Sequence, residues 1–75
     1  MKRSYSEFRE AVEKELKKLQ NASDHDIRTF VENEEDEVKY AYERYKGNAD
    51  PSFTEDARFS AEVSSVAYCL FMMYE

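Results

Sequence analysis

The sequence predicts an all-α fold, a small three-helix bundle. Three observations carry that reading. Apolar residues recur at spacings of three and four in three successive segments, the signature of one buried helical face. Turn chemistry separates the segments, at Asn21-Ala22-Ser23-Asp24 and at Gly47 to Ser52. Only one Gly and one Pro occur in 75 residues, alongside eleven Tyr and Phe, a composition foreign to disordered chains. The predicted helices cover about 5–21, 24–46 and 54–74 of a single domain, 1–75, packed antiparallel through short loops.

The first helix opens at Ser4-Tyr5-Ser6-Glu7, a capping box in which each side chain satisfies a free backbone N–H of the helix start. Tyr5, Phe8, Val12, Leu16 and Leu19 then share one face. Glu10 with Lys14, and Glu13 with Lys17, stand at i,i+4 on the other, with the acid first, the favourable order.

The second helix can be capped by Ser23 or Asp24, and Asp24 and Asp26 suit the positive end of its dipole. Its stripe reads Ile27, Phe30, Val31, Val38, Ala41, Tyr42, Tyr45. At about 100° per residue Glu34 falls inside this stripe, which is a local conflict. A single helix with Glu34 at the core edge is the favoured resolution. The other is a bend or break near Asn33, which would start a new helix at Glu34, Glu35 and Asp36. Gly47 after Lys46 reads as a stop, with glycine taking the left-handed conformation past the helix end.

Asp50-Pro51 disfavours helix at Asp50. Ser52, with Glu55 three residues on, or Thr54 can cap the third helix. On its wheel Phe59, Val63, Val66, Ala67, Leu70, Met73 and Tyr74 form one broad stripe, flanked by Cys69. The opposite side, Ala57, Ala61, Ser64, Ser65, Tyr68 and Met72, is uncharged. From Val63 to Tyr74 no charged residue occurs. A helix apolar or neutral all round is buried on more than one side.

A chain this short builds only a small core. With one cysteine no internal disulfide forms, and with one cysteine and one histidine no zinc cluster is available. Stability must then come from helix packing or self-association. A lone cysteine suits a reducing compartment, and Met1-Lys2-Arg3 precedes polar residues rather than an apolar leader, so the expected location is cytoplasmic. No stretch reaches the roughly 20 apolar residues of a membrane span.

The net charge is −6. Residues 1–22 hold six basic and four acidic residues, residues 23–46 four and eight, and residues 47–75 one and five. Without a basic cluster, nucleic acid is a poor partner, because phosphate binding rests on Lys and Arg contacts. A basic protein is the better electrostatic match.

The sharpest polar feature is the acidic block Glu32, Glu34, Glu35, Asp36 and Glu37. Its plain reading is a solvated surface or a helix start; its functional reading is a surface aimed at a basic partner. Asn48, Asp50, Ser52, Thr54 and Asp56 alternate like a calcium loop, but Pro51 and Phe53 fill the middle and the sixth position lacks glycine. His25 reads as an exposed neighbour of a helix cap and Cys69 as an inert core thiol. No phosphate loop or nucleophile elbow occurs, so no catalytic residue, metal or cofactor is assigned, and no enzymatic activity. Tyr40 and Tyr68 point away from the predicted stripes, and exposed tyrosine is favoured at interfaces.

The functional expectation is a small acidic non-enzymatic protein–protein interaction module. Its binding candidates are Glu32, Glu34, Glu35, Asp36, Glu37, Tyr40, Tyr68 and Met72. The partner is another protein, or a second copy joined through the third helix. The alternative is an acidic decoy or inhibitor of a basic nucleic-acid-binding protein. A small DNA-binding regulator with a helix–turn–helix at Leu19 to Ile27 ranks third, because the acidic second helix is an awkward groove reader.

Overall fold

The structure, a computed structural model, describes residues 3–74. It is all-helical, with α1 (Tyr5–Leu19), α2 (Asp24–Asn33), α3 (Glu35–Gly47) and α4 (Glu55–Met73). The predicted capping box forms at Ser4 and Glu7, and the Ser23 and Thr54 hydroxyls accept the first free N–H groups of α2 and α4. Ser52 is not a cap, and Glu55, its predicted partner, turns towards Arg3 and Tyr45.

The expectation of three helices needs correction: the second predicted helix is two. Glu34 separates them with φ −106° and ψ 28°. Its N–H bonds back to the carbonyls of Phe30 (3.0 Å) and Val31 (3.2 Å), and its own carbonyl accepts from Glu37 and Val38. An unbroken helix would carry Glu34 into the core between Val31 and Val38, where an unpaired carboxylate is costly. The one-residue turn keeps both valines fully buried and leaves Glu34 half-buried at the edge. It also places Glu35, Asp36 and Glu37 in a first turn, where the helix dipole favours negative charge.

The left-handed glycine stop is absent too. Gly47 has no positive φ and belongs to α3. The chain leaves the helix through extended Asn48, whose N–H still reaches Tyr45 and whose Oδ1 accepts from Asp50 N–H.

α1 and α4 run side by side in the same direction: Arg3, just before α1, reaches Glu55 and Asp56 at the start of α4, and the Phe8 ring meets Phe59. α2 and α3 run back along them. Lys17 near the end of α1 pairs with Asp24 at the start of α2, and Tyr45 near the end of α3 packs on Phe59. The up–down–up layout is that of a three-helix bundle with a broken middle helix, 37 × 18 × 17 Å.

The core comprises Phe8, Val12 and Leu16 from α1, Ile27 and Val31 from α2, Val38, Ala41 and Tyr45 from α3, and Val63, Val66, Ala67 and Leu70 from α4. Leu19, the last residue of α1, lies outside it and is exposed. At one end Phe8, Tyr42, Tyr45 and Phe59 form an aromatic cluster with centroids 5.3–5.9 Å apart. Such pairs add to simple area burial. Tyr45 O–H donates to the Glu55 carboxylate and accepts Arg3 N–H at 2.8 Å, while Tyr42 O–H donates to the Arg3 carbonyl.

Candidate partner-binding surface

The core stripe of α4 faces α1 and α3, which leaves its other side to solvent. Ala57, Ala61, Ser64 and Ser65 are exposed there, followed by Tyr68 at 57% and Met72 at 68%. At 1.5 Å per residue, Ala57 to Met72 spans about 22 Å. Two neighbours predicted for the core join this surface: Met73 is nearly half exposed, and Cys69 is a free, exposed thiol. Both lie off the stripe that α1 and α3 cover, so among the described residues the apolar composition there does not translate into burial.

The rim on the α3 side is polar and ordered. Arg44 holds Glu62 with Nε and Nη2 on one carboxylate oxygen, at 3.1 and 2.9 Å. The same guanidinium lies 5.3 Å from the Tyr40 ring centroid, and Tyr40 is 63% exposed. The Glu62 carboxylate raises the Arg44 pKa further, so the guanidinium stays charged. Glu62 is the one charged residue of α4 after Arg58, and this bond occupies it. Tyr40, Tyr68 and Met72 are therefore all solvent-facing; Tyr40 sits on the rim, and Tyr68 and Met72 on the face itself.

The acidic block does not form one free surface. Arg9 of α1 reaches Glu13 (3.4 Å), Glu32 (3.4 Å) and Glu35 (3.6 Å), and so ties the α2–α3 junction to α1. Glu35 also meets Lys39 and accepts from Tyr5 O–H. Burial and the Glu35 charge raise the Tyr5 pKa above its ordinary value. Glu34 is the half-buried turn residue; Asp36 and Glu37 are exposed, without an ion pair among the described residues. Sequence alone concealed this, because Arg9 lies more than twenty positions from the acids it neutralises.

The groove between α1 and α2 mixes Arg9, Lys14, Lys17, Lys18 and Arg28 with Glu10, Glu13 and Asp24. Glu13 and Lys17, predicted partners, bind Arg9 and Asp24 instead. Among the described residues no group of three or more His, Cys, Asp or Glu is placed to hold a metal ion. No helix among them is long and apolar enough to cross a membrane.

The chain matches no family model, no curated protein and no solved structure. A functional reading therefore rests on this surface and its chemistry.

Proposed function

We propose that this protein is a small non-enzymatic protein–protein interaction module that binds through the outward face of α4. The observation that carries the reading is the exposure of Tyr68 and Met72 on a face without charge, bordered by the Arg44–Glu62 bond. Tyr and Met are enriched at interfaces, and charge is depleted at interface centres. An exposed free thiol at Cys69 fits a reducing, cytoplasmic setting.

A photo-crosslinking amino acid at Ser65, in the middle of the face, tests the proposal in the native cell. The expected result is a discrete protein adduct that disappears when Met72→Glu is added. Absence of any adduct refutes the reading.

The acidic-decoy reading has narrower support. Asp36 and Glu37 point to solvent, but Glu32 and Glu35 already serve Arg9. A DNA-binding role has least support, since the α1–α2 groove is charge-mixed rather than basic.

A further inference from the structure

We infer that the occupant of the α4 face is a second copy of this chain, with the two α4 helices antiparallel about a two-fold axis between Ser64 and Ser65. The inference rests on the functional reading above and names its partner.

Side-chain size favours this pairing. Along the face, small residues come first and large ones last: Ala57 and Ala61, then Ser64 and Ser65, then Tyr68 and Met72. These six positions are symmetric about the midpoint between Ser64 and Ser65. An antiparallel copy that sets Ser64 opposite the second copy's Ser65 also sets Tyr68 over the second copy's Ala61, and Met72 over its Ala57. Each exposed large side chain meets a position that offers only a methyl group, the complementarity that close helix packing needs. A parallel copy would put Tyr68 against Tyr68 and Ala57 against Ala57, crowding one end and opening a gap at the other. A two-fold interface is self-complementary by necessity, and only the antiparallel arrangement makes this face so.

Charge is compatible with it. α1 runs parallel to α4, and Ala11, Lys14, Glu15 and Lys18 border the α4 residues Phe59, Val63 and Ser64. Glu7 lies on the same α1 sector, four residues before Ala11. The proposed axis keeps the α1 flanks of both copies on one side and reverses their direction. Each flank is balanced, Lys14 and Lys18 against Glu7 and Glu15, with Lys18 holding Glu15 at 3.2 Å, so the two flanks meet without net repulsion. The face between the flanks carries no charge to be desolvated unpaired.

The area is sufficient for a weak dimer. A strip about 22 Å long and two helix spacings wide buries roughly 500 Å² per copy, about 1,000 Å² in total, the lower bound for a specific interface. The share of each copy is about a tenth of the 5033 Å² surface of one chain. It fits a reversible, micromolar dimer rather than an obligate one.

Sedimentation equilibrium of the full chain tests association. The expected apparent mass rises from 8.9 kDa towards twice that value as concentration increases into the high micromolar range. Met72→Glu should hold the mass at the monomer with helicity unchanged. Orientation is read in a Cys69→Ser background by oxidising Ala61→Cys and Tyr68→Cys, separately and mixed, because a disulfide forms only where Cα atoms approach within about 7 Å. The mixture should give a covalent dimer and neither variant alone should. Self-crosslinking of either variant alone overturns the antiparallel pairing. A persistent monomer overturns self-association. If photo-adducts to another protein still form at Ser65, the functional reading survives that outcome, and if none form, both fall.

Discussion

Replacing Tyr45 by Phe isolates one hydroxyl that bonds both Glu55 and Arg3. The Tyr45 side chain is fully buried, with its ring 5.9 Å from Phe8 and 5.3 Å from Phe59. Phe keeps that packing and removes the O–H donated to Glu55 and the acceptor for Arg3 N–H. A hydrogen bond to a charged group contributes about 1.5–3 kcal/mol. Glu55 retains Arg3 Nη1 at 3.0 Å and is part-exposed, so its carboxylate is not orphaned. The cost therefore falls at the lower end, about 1.5–2 kcal/mol, or about 6–16 °C in Tm for a domain of this size. Thermal and urea unfolding followed by circular dichroism, with an unchanged m-value, measures it. Tyr45→Ala, which also empties the ring site, should cost about 3–5 kcal/mol. The pH dependence carries a sign. Burial, then the hydrogen bond to Glu55, raises the Tyr45 pKa above its ordinary 10.0. The neutral phenol is the form the fold prefers, so its contribution is complete below the unfolded value and is lost as pH rises through the folded one. Wild type should lose stability above about pH 10, and Tyr45→Phe should flatten part of that loss, Tyr5 supplying the remainder in the same direction. A Tm shift under about 2 °C for Tyr45→Phe would refute the hydroxyl's role in tying α3, α4 and the segment before α1 together.

The two faces of α4 should respond oppositely: Tyr68→Glu and Met72→Glu should leave monomer stability within about 0.5 kcal/mol, whereas Leu70→Ala should cost about 2–5 kcal/mol by denaturant titration. Arg9→Ala should destabilise by about 1 kcal/mol, because it leaves Glu13, Glu32 and Glu35 facing one another, and added salt should recover part of the loss by screening their repulsion. On the acid side, a hydrogen bond to Lys17 lowers the Asp24 pKa, and the Ser52 N–H lowers that of Asp50. Depressed carboxylates contribute above their unfolded values and lose that contribution as pH falls through the folded ones. Stability should therefore decline below about pH 4, and Lys17→Met should make the decline shallower.

Several elements follow from local rules and were readable before any tertiary contact was known. Ser4 with Glu7, and Ser23 and Thr54, cap helices because a hydroxyl there meets N–H groups that the helix itself leaves free. The stripes Phe8–Val12–Leu16 and Val63–Val66–Leu70 are buried because helical spacing places them on one side. The same geometry turned Tyr40 and Tyr68 away from the stripes, and both are exposed.

Other features depend on distances that spacing does not contain. The acids of residues 32–37 read as one block along the chain, but in space Arg9 divides them into tied and free members. Gly47 reads as a left-handed stop, yet extended Asn48 ends α3. Cys69 reads as a core thiol but is exposed, because it lies off the side of α4 that carries the buried Val63, Val66, Ala67 and Leu70. The conflict at Glu34 was visible in the sequence; its outcome was not. Whether the helix tolerates the carboxylate or breaks depends on the burial of Val31 and Val38 against α1 and α4. The sequence by itself thus determined the helical class, the caps and the apolar stripes, which are short-range properties of the backbone and of 3.6-residue periodicity. Only the tertiary structure decided the break at Glu34, the partners of the charges and the uncovered face of α4, because each depends on which helix lies opposite.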